Sequence, residues 1–310
     1  MVVFDEMIDK VTVYLSTYNG EAFLDEQIDS ILRQEGVSVR LIVRDDGSSD
    51  RTIELLEKYR TMKGVTFYRG NNLGYAKSFL TTLKNDAGQE SGYYAFSDQD
   101  DIWLPQKLKC GINKLKNFPQ DIPLLYVSAL QRVDGALNNL DKQDFPHLIL
   151  SLGAEFTRHR LAGCTFVFNL QMKKLLEEAA VLSNLCSHDA LATILCLSCG
   201  GRVIYDHDSY ILFRRHGNNT SVDGKGTIFK IYHDVKNFLI KKHQHRDLAR
   251  KLYHIMYSHL TPSSISFLQE ASNYDKSIDK TIKFALNKKI GCGYWYYDFF
   301  VRIMIVMRYY

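Results

Sequence analysis

The sequence lacks several features that define large classes of protein. It contains no run of 18 uncharged apolar residues, which is the length that a membrane-spanning helix needs. No signal peptide precedes Val11, and the six cysteines form no paired ladder. We therefore expect a chain in a reducing compartment and neither a secreted disulfide scaffold nor a polytopic membrane protein. Cys196 and Cys199 lie in an apolar stretch, which predicts buried thiols.

Two common nucleotide-binding motifs are also missing. No G-x-G-x-x-G follows the first predicted strand, which disfavours a dinucleotide-binding Rossmann site. No G-x-x-x-x-G-K-[ST] occurs, which excludes a P-loop. The loop after the first strand offers two hydroxyls and an aromatic ring instead, from Ser16, Thr17 and Tyr18.

The composition is that of a globular protein, with charge divided unevenly along the chain. Of 310 residues, 45% are hydrophobic and 24% are charged, and the net charge is +4. From residue 224 to the end there are 15 Lys/Arg against 6 Asp/Glu, so the front of the chain is acidic. This asymmetry predicts a boundary near Asp223, with a catalytic domain over 1–223 and a basic, aromatic helical segment over 224–310.

Strand and helix signals alternate in the front half. Segments 11–15, 40–43, 65–68 and 93–96 have the apolar character of buried strands, and each precedes a helical pattern. Leu24, Ile28 and Ile31, for example, recur at the spacing of one helix face. Such alternation predicts an α/β fold with a mostly parallel sheet flanked by helices.

Polar clusters follow each of these strands, in the segments STYNG, RDDGS, NNLG and SDQDD. Ligands of open α/β sheets bind beyond the carboxyl ends of the strands. The sequence therefore predicts that four separate segments meet in one crevice.

The segment SDQDD places three carboxylates within four residues, and Asp45 and Asp46 add an acidic pair from another strand. A D-x-D motif by itself is more often a helix-capping cluster on a solvated turn. Two acidic clusters in one crevice, however, are unfavourable unless a cation or donor hydrogen bonds balance them. Oxygen ligands favour Mg²⁺, Mn²⁺ or Ca²⁺, and such an ion would hold a diphosphate as a leaving group.

These motifs resemble those of family 2 glycosyltransferases of GT-A fold. The resemblance rests on STYNGE-x-x-L-x-E-Q-I, RDDGSSD-x-T, N-x-G and FSDQDDIWLP-x-K-L, followed by AGCT, SHD and FRRHGNN. It spans roughly residues 10–222 in the same order and is nearest to rhamnosyltransferase-like bacterial members that build surface polysaccharides. The resemblance implies a Rossmann-like sheet and transfer from a nucleotide-sugar donor.

The resemblance assigns roles in donor binding. Ser16, Thr17 and Tyr18 would border the nucleotide base, and Asp46 would accept the imide N–H of uracil or thymine. Asp98 would lie by the ribose.

Four further residues receive roles by the same resemblance. Asn72 and Gly74 would form the wall behind the nucleotide, although N-x-G is equally good turn chemistry. Asp100 would be the main protein ligand of a divalent metal, Mn or Mg. His216 would complete the metal shell; by itself it would be taken for a surface histidine.

Asp189 is the residue that the resemblance implies as the general base. It would take the proton of the acceptor hydroxyl during a single displacement with inversion at the anomeric carbon. The alternative is a helix cap, because Ser187-His188-Asp189 precedes an apolar run. Family members more often have an acid before this Asp, so His188 leaves the tuning of the base open.

The sequence leaves alternatives open for both the donor sugar and the overall activity. L-rhamnose from dTDP-rhamnose is the first expectation. The rivals are transfer of a hexose or N-acetylhexosamine from UDP, a nucleotidyltransferase, and a non-catalytic subunit that binds sugar nucleotides or a membrane. The set Asp46, Asp98, Asp100 and Asp189 argues against the non-catalytic subunit.

The last twenty residues hold eight aromatics together with Asp298, Arg302 and Arg308. Aromatics mixed with Arg are typical of a helix lying in the headgroup region of an anionic membrane. The alternatives are a helix packed on the catalytic domain or at a homodimer interface. No nucleic-acid-binding motif is present. We expect a cytoplasmic protein, peripheral on the inner face of the cell membrane, with a saccharide acceptor that is lipid-linked.

Overall fold

The apolar segments of the front half form strands of one central sheet in the computed structural model, which describes residues 8–88, 91–216, 236 and 240–310. The first four strands coincide with the four segments that the sequence predicts. The strands are, in chain order, β1 Asp9–Thr17, β2 Val37–Asp45, β3 Val65–Arg69, β4 Tyr93–Ser97, β5 Ile102–Trp103, β6 Leu124–Val133, β7 Asn139–Gln143, β8 Val167–Asn169 and β9 Arg202–Arg214.

The sheet has the order β3-β2-β1-β4-β8-β6-β9-β5, and β7 pairs with β6. β1 runs parallel to β2 and β4, and β2 runs parallel to β3, as the strand–helix alternation predicts. Beyond β4 the sheet is mixed, because the short strand β8 runs antiparallel to both of its neighbours, β4 and β6. β6 and β9 are parallel to each other. The parallel part therefore ends at β4, and the later strands extend the sheet.

Helices cover the sheet and follow the predicted strand–helix order. Leu108, Ile112 and Leu115 are fully buried on one helix face, as their spacing predicts. Leu104 precedes this helix, and its N–H donates to the Tyr210 carbonyl at 2.9 Å. The helices are α1 Leu24–Leu32, α2 Thr52–Glu57, α3 Tyr75–Lys84, α4 Lys107–Lys116, α5 Leu152–Thr157, α6 Leu170–Glu178, α7 His188–Ser198, α8 Gln244–Ile255, α9 Pro262–Asn273, α10 Ile278–Ala285 and α11 Trp295–Val306.

The core consists of two apolar clusters, one on each face of the sheet. Alternate residues of β1 divide between them: Tyr14 belongs to one cluster, and Val13 and Leu15 belong to the other. All three side chains are fully buried. A strand that is buried on both faces must be apolar throughout, which explains the continuous run that the sequence shows.

The C-terminal helices pack on the front of the chain. Leu248 of α8, Leu268 of α9 and Val301 of α11 belong to the same cluster as Tyr14. The Tyr310 side chain is fully buried, and its hydroxyl donates to the Phe156 carbonyl at 2.8 Å. Packing of the rear helices, one of the alternatives for this segment, therefore occurs. The boundary expected at residues 223 and 224 lies outside the described residues.

No helix in the described part of the chain combines the length and the apolar character needed to cross a membrane.

The cysteines in the described residues are free thiols. Cys196 and Cys199 are spaced Cys-x-x-Cys at the end of α7, where Cys196 is buried and Cys199 partly buried. Burial raises the pKa of both thiols, that of Cys199 to about 11. Because the thiolate is the reactive form, this pair has the character of packed, unreactive thiols.

Gly153 of α5 lies against the C-terminal segment, so a substitution at this position tests how closely the two pack. A Cβ at this position would lie 1.9 Å from the Lys289 carbonyl oxygen, a backbone atom that cannot rotate away. Gly153→Ala should therefore destabilise the fold by about 1–3 kcal/mol in urea unfolding, although alanine is the better helix former. Gly92→Ala is the control, since a Cβ there meets nothing within 4 Å. A Gly153→Ala protein as stable as the wild type would contradict this packing.

Candidate active site

The loops after β1 and β4 are joined by the side chain of Gln99. Its Oε1 accepts from Thr17 Oγ1 at 2.6 Å and from the Tyr18 N–H at 2.9 Å, while its Nε2 donates to the Tyr18 carbonyl at 3.2 Å. One amide thus fixes two of the four predicted segments against each other. Sequence reasoning assigned no role to Gln99, although its place inside the acidic motif was a signal.

The three residues after β1 differ in what they offer to a ligand. The Ser16 hydroxyl donates to Ser78 Oγ of α3 at 2.6 Å, and Thr17 is buried by its contact with Gln99. Tyr18 leaves 47% of its surface exposed. Its ring is therefore the group of this loop that is free to stack on a planar ligand.

Asp46 is buried and already has several donors. Arg44 Nη1 donates to Oδ1, and the N–H groups of Leu73 and Gly74 donate to the two oxygens at 2.9 Å each. Gly74 has φ of +78°, a conformation that favours glycine. The carboxylate therefore ties the end of β2 to the NNLG loop. The contact of Asp46 with an imide N–H remains a prediction. Arg44 was not identified from the sequence as the partner of Asp46, although it directly precedes the acidic pair.

The Asn72 side chain is exposed and accepts the Gly74 N–H at 3.2 Å. Asn72 also lines a cleft of about 630 Å³ at the ends of β2 and β3, together with Gly47, Arg69, Gly70 and Asn71. Clefts of this volume accommodate small ligands. The predicted wall is thus both a turn and part of an open cleft.

The acidic motif contains carboxylates in different environments. Burial, with the charges of Asp100 and Asp189, raises the pKa of Asp98 to about 7. Asp101 is fully buried, and its Oδ1 accepts the Arg214 N–H at 3.2 Å. Burial, followed by the nearby carboxylates, also raises the pKa of Asp101 well above its usual range. Asp101 is therefore suited to a neutral, protonated state.

In the described part of the chain, two groups of side chains could hold a cation. One is Asp98, Asp101 and Cys164, whose ligand atoms lie within 4.8 Å of one another. Burial raises the pKa of the Cys164 thiol, and a sulfur ligand is a poor partner for Mg²⁺ or Mn²⁺. This group fits a protonated hydrogen-bonded cluster better than a hard-cation site.

The other group is Asp100 and His216, to which the resemblance assigns the metal. His216 Nε2 lies at hydrogen-bond distance from Asp100 Oδ2, 2.8 Å, and both side chains are partly exposed. Two ligands at right angles, each about 2.1 Å from one ion, lie about 3 Å apart, so this pair fits a shared divalent cation. A carboxylate oxygen and an imidazole nitrogen are also an acceptable donor set for Mn²⁺.

Arg214 explains how the distant His216 reaches Asp100. Its guanidinium donates to the carbonyls of Asp100 and Gly135 at 3.1 and 2.8 Å, and it pairs with Glu26. The side chain is buried, so it fastens the end of β9 to the acidic motif. The Arg214 side chain is thus bound to protein partners.

Asp189 is the second residue of α7, whose N-cap is Ser187. Its Oδ1 accepts the Ala190 N–H at 2.8 Å, and its Oδ2 lies 3.5 Å from His159 Nε2. Burial would raise the pKa of Asp189, but the positive charge of His159 outweighs it and holds the pKa well below its usual range. Asp189 is therefore an ionised carboxylate and is not the N-cap.

Gly163 allows the AGCT segment to approach α7. A Cβ on Gly163 would lie 2.4 Å from His188 Nε2 and 3.3 Å from Asp189 Cβ. The neighbouring Cys164 contacts the acidic cluster. This segment therefore lies between the acidic motif and Asp189, which brings the two predicted halves of the site together.

Known proteins with similar sequences are glycosyltransferases. The dTDP-rhamnosyl transferase RfbG of Shigella flexneri is 26% identical over 223 residues, which cover 66% of this chain and 72% of that protein. The UDP-Glc:alpha-D-GlcNAc-diphosphoundecaprenol beta-1,3-glucosyltransferase WfgD of Escherichia coli is 32% identical over 34% of this chain and 42% of its own. An uncharacterized glycosyltransferase of Rickettsia typhi, 30% identical, is matched over 35% of its length.

The fold also has solved counterparts. The crystal structure of S. aureus TarS 1-349 in complex with UDP-GlcNAc superposes with a TM-score of 0.57 at 18% identity, over 96% of this chain and 81% of that one. This likeness supports the GT-A fold that the sequence predicts. The model of the family "Glycosyl transferase family 2" matches residues 12–179, more than half of the chain. The protein belongs to glycosyl transferase family 2 and is a glycosyltransferase of GT-A fold.

Proposed function

We propose that this enzyme transfers one sugar from a nucleoside-diphosphate donor to a hydroxyl of a saccharide acceptor, with inversion and with a divalent metal. The observation that carries the proposal is that the segment containing Gly163 and Cys164 adjoins both Asp189 and the acidic motif, so that these carboxylates lie in one crevice. A base and a site for a diphosphate are the two parts that a single displacement needs.

Donor binding is assigned to the loops after β1, β2, β3 and β4. The exposed ring of Tyr18 is suited to the base, and Asp98 to the ribose. Ser16 and Thr17 precede Tyr18 in the same loop, and hydrogen bonds to the Gly74 N–H join Asp46 and Asn72 to the proposed wall behind the nucleotide. We propose dTDP-rhamnose as donor, by analogy with RfbG, a dTDP-rhamnosyl transferase. WfgD and TarS, whose names or complexes include UDP-sugars, support UDP-hexose or UDP-N-acetylhexosamine as the alternative.

The metal is assigned to Asp100 and His216, because their oxygen and nitrogen atoms are close enough to share one ion. A Mn or Mg ion held there would neutralise the diphosphate and make it a better leaving group. Arg214 contributes by holding the chain before His216 against the acidic motif.

Asp189 is assigned as the base. Its carboxylate takes the proton of the acceptor hydroxyl while the hydroxyl oxygen forms a bond to the anomeric carbon. The bond between that carbon and the diphosphate oxygen breaks on the opposite face, and its electron pair leaves with the nucleoside diphosphate. Because one displacement occurs, the configuration at the anomeric carbon inverts.

The acceptor is proposed to be lipid-linked, because the C-terminal helices have an apolar surface. α11 leaves Trp295 80% and Phe299 61% exposed, and Leu286, the C-cap of α10, is 71% exposed. The two helices pack against each other. The exposed apolar side chains recur every three or four residues and are Ile278 and Ile282 on α10, Leu286 at its C-cap, and Trp295, Phe299, Ile303 and Val306 on α11. We name these side chains the C-terminal apolar face.

Basic residues accompany this face. Residues 274–310 contain seven Lys/Arg and three Asp. An apolar stripe with lysines beside it is typical of helices that lie on anionic membranes, where each lysine near the surface contributes about 1 kcal/mol. We therefore propose that the C-terminal apolar face binds the cytoplasmic surface of an anionic membrane. A homodimer through this face is the alternative.

Replacement of the base should abolish turnover without abolishing donor binding. We expect Asp189→Asn to lower the rate of nucleoside diphosphate release by about 10²–10⁴-fold, because the amide cannot accept the proton. Rates would be measured with dTDP-rhamnose and UDP-glucose, and binding of dTDP and UDP by thermal shift. Asp121→Asn, an exposed carboxylate, is the control. An active Asp189→Asn enzyme would show that another group is the base.

Nucleotide binding should depend on the metal and on its proposed ligands. At a hundredfold excess over Kd, a bound nucleotide should stabilise the wild-type fold by about 2.7 kcal/mol. A thermal-shift screen would compare dTDP, UDP, GDP and CDP with and without Mn²⁺ or Mg²⁺. Asp100→Asn and His216→Gln should lose the metal-dependent part, and Asp208→Asn, an exposed aspartate on β9, should keep it. A metal effect that is equal in all four proteins would refute the assigned ligands.

The C-terminal apolar face can be tested by surface substitution. Truncation would remove Val301 and Tyr310 from the core, so the double variant Trp295→Ser, Phe299→Ser is preferable. We expect it to lose flotation with phosphatidylglycerol vesicles, whereas Val181→Ser, an equally exposed apolar residue elsewhere, should float like the wild type. Equal flotation of all three proteins would contradict the membrane proposal. Light scattering would reveal a dimer that the double variant dissociates.

A further inference from the structure

Asp189 lies at one end of a line of three ionisable side chains. His159 Nε2 is 3.5 Å from Asp189 Oδ2, and His159 Nδ1 is 2.7 Å from Glu155 Oε2. Glu155 belongs to the last turn of α5, and His159 follows two residues after this helix ends. One imidazole thus bridges two carboxylates that come from different helices, α5 and α7.

The bridging imidazole is a cation. Burial would lower the pKa of His159, but the charges of Asp189 and Glu155 outweigh burial and raise this pKa to about 10. Both ring nitrogens therefore carry protons, and each N–H faces one carboxylate. The Glu155 side chain is almost fully buried, so an ionised Glu155 needs this positive charge beside it.

Within the described residues, the other groups near Asp189 supply no such charge. His188 is buried against the Phe79 ring, with centroids 4.1 Å apart, and burial lowers its pKa to about 4, so it is neutral. Asp98 from the acidic motif, Tyr75 of α3 and the Cys186 thiol also face Asp189, and each would be neutral or negative. Ser187 offers a hydroxyl.

The Asp189 side chain is partly exposed, with 20% of its surface accessible. Oδ1 accepts the Ala190 N–H, Oδ2 faces His159, and the Ser187 hydroxyl is a further donor. The His159 Nε2 atom is buried and makes no hydrogen bond within the described residues. Distances of this kind in an unliganded site commonly shorten when substrate binds.

We propose that Glu155 and His159 are positioning residues for Asp189. His159 fixes the plane of the Asp189 carboxylate and keeps it ionised, and Glu155 keeps the His159 ring protonated and oriented. The inference rests on the proposed role of Asp189 as base. Neither residue exchanges a proton with substrate, since the proton of the acceptor hydroxyl goes to Asp189.

The pH profile of kcat is the measurement that a merely structural role would leave unchanged. Without the positive charge, the pKa of Asp189 rises, so less of the base is ionised on the acid side. We expect His159→Gln to lower kcat by at least about tenfold at pH 6 and by less at pH 8, with KM for the donor nearly constant. Glu155→Gln, which is isosteric, should shift the profile in the same direction.

Two further variants complete the test. His159→Lys retains a cation and should restore part of the acid-side activity. His259→Gln is the matched control, because His259 forms an exposed pair with Glu178 at 3.0 Å on the surface. Nucleotide-induced thermal shifts would verify that each variant is folded. If His159→Gln does not fold, Glu155→Gln provides the test in its place.

The outcomes separate the inference from the function on which it rests. If Asp189→Asn is inactive while His159→Gln and Glu155→Gln keep the wild-type pH profile, the positioning role is wrong and the proposed function stands. If Asp189→Asn remains active, the proposed base itself fails. A uniform loss of kcat at every pH, not relieved by His159→Lys, would also overturn the inference.

Discussion

Negative charge concentrated at the carboxyl ends of the parallel strands is the constraint on which the site depends. The fold offsets the negative charge of each carboxylate in a different way. Asp46 has Arg44 and two backbone N–H groups, Asp101 is suited to protonation, and Asp189 faces the imidazolium of His159. A buried carboxylate without such a partner would cost several kcal/mol. The distribution of donors therefore separates the acids that are bound to the protein from Asp189, the proposed base.

The strand β9 connects this charge balance to the rest of the chain. It runs beside β6 and ends at Arg214, whose guanidinium fastens it to the acidic motif. His216 follows two residues later and meets Asp100. A residue that is distant in sequence thus completes the proposed metal site because one buried arginine fixes its approach.

Much of the fold could be predicted from the sequence because its signals are local. The four strands β1–β4 have continuous apolar runs and polar ends, so the sequence predicts both that they are parallel and that their polar loops meet. The mixed half of the sheet could not be predicted in this way, because β9 has partly exposed residues along most of its length and no simple period. The pairing of His159 with Asp189 had no signal either, because it depends on where α5 ends and α7 begins. His188 is the histidine adjacent to Asp189 in sequence, but it is buried and neutral.

The role of the C-terminal segment could not be predicted from composition, because its last helix has one buried and one exposed apolar face. One face is in the core and the other is exposed, and a count of aromatics does not separate them. The buried face bears on the site through α5. Lys289 abuts Gly153, Tyr310 binds the Phe156 carbonyl, and Glu155 lies between these two contacts and holds His159. The segment that presents an apolar surface to the exterior therefore also packs against α5, the helix that carries Glu155.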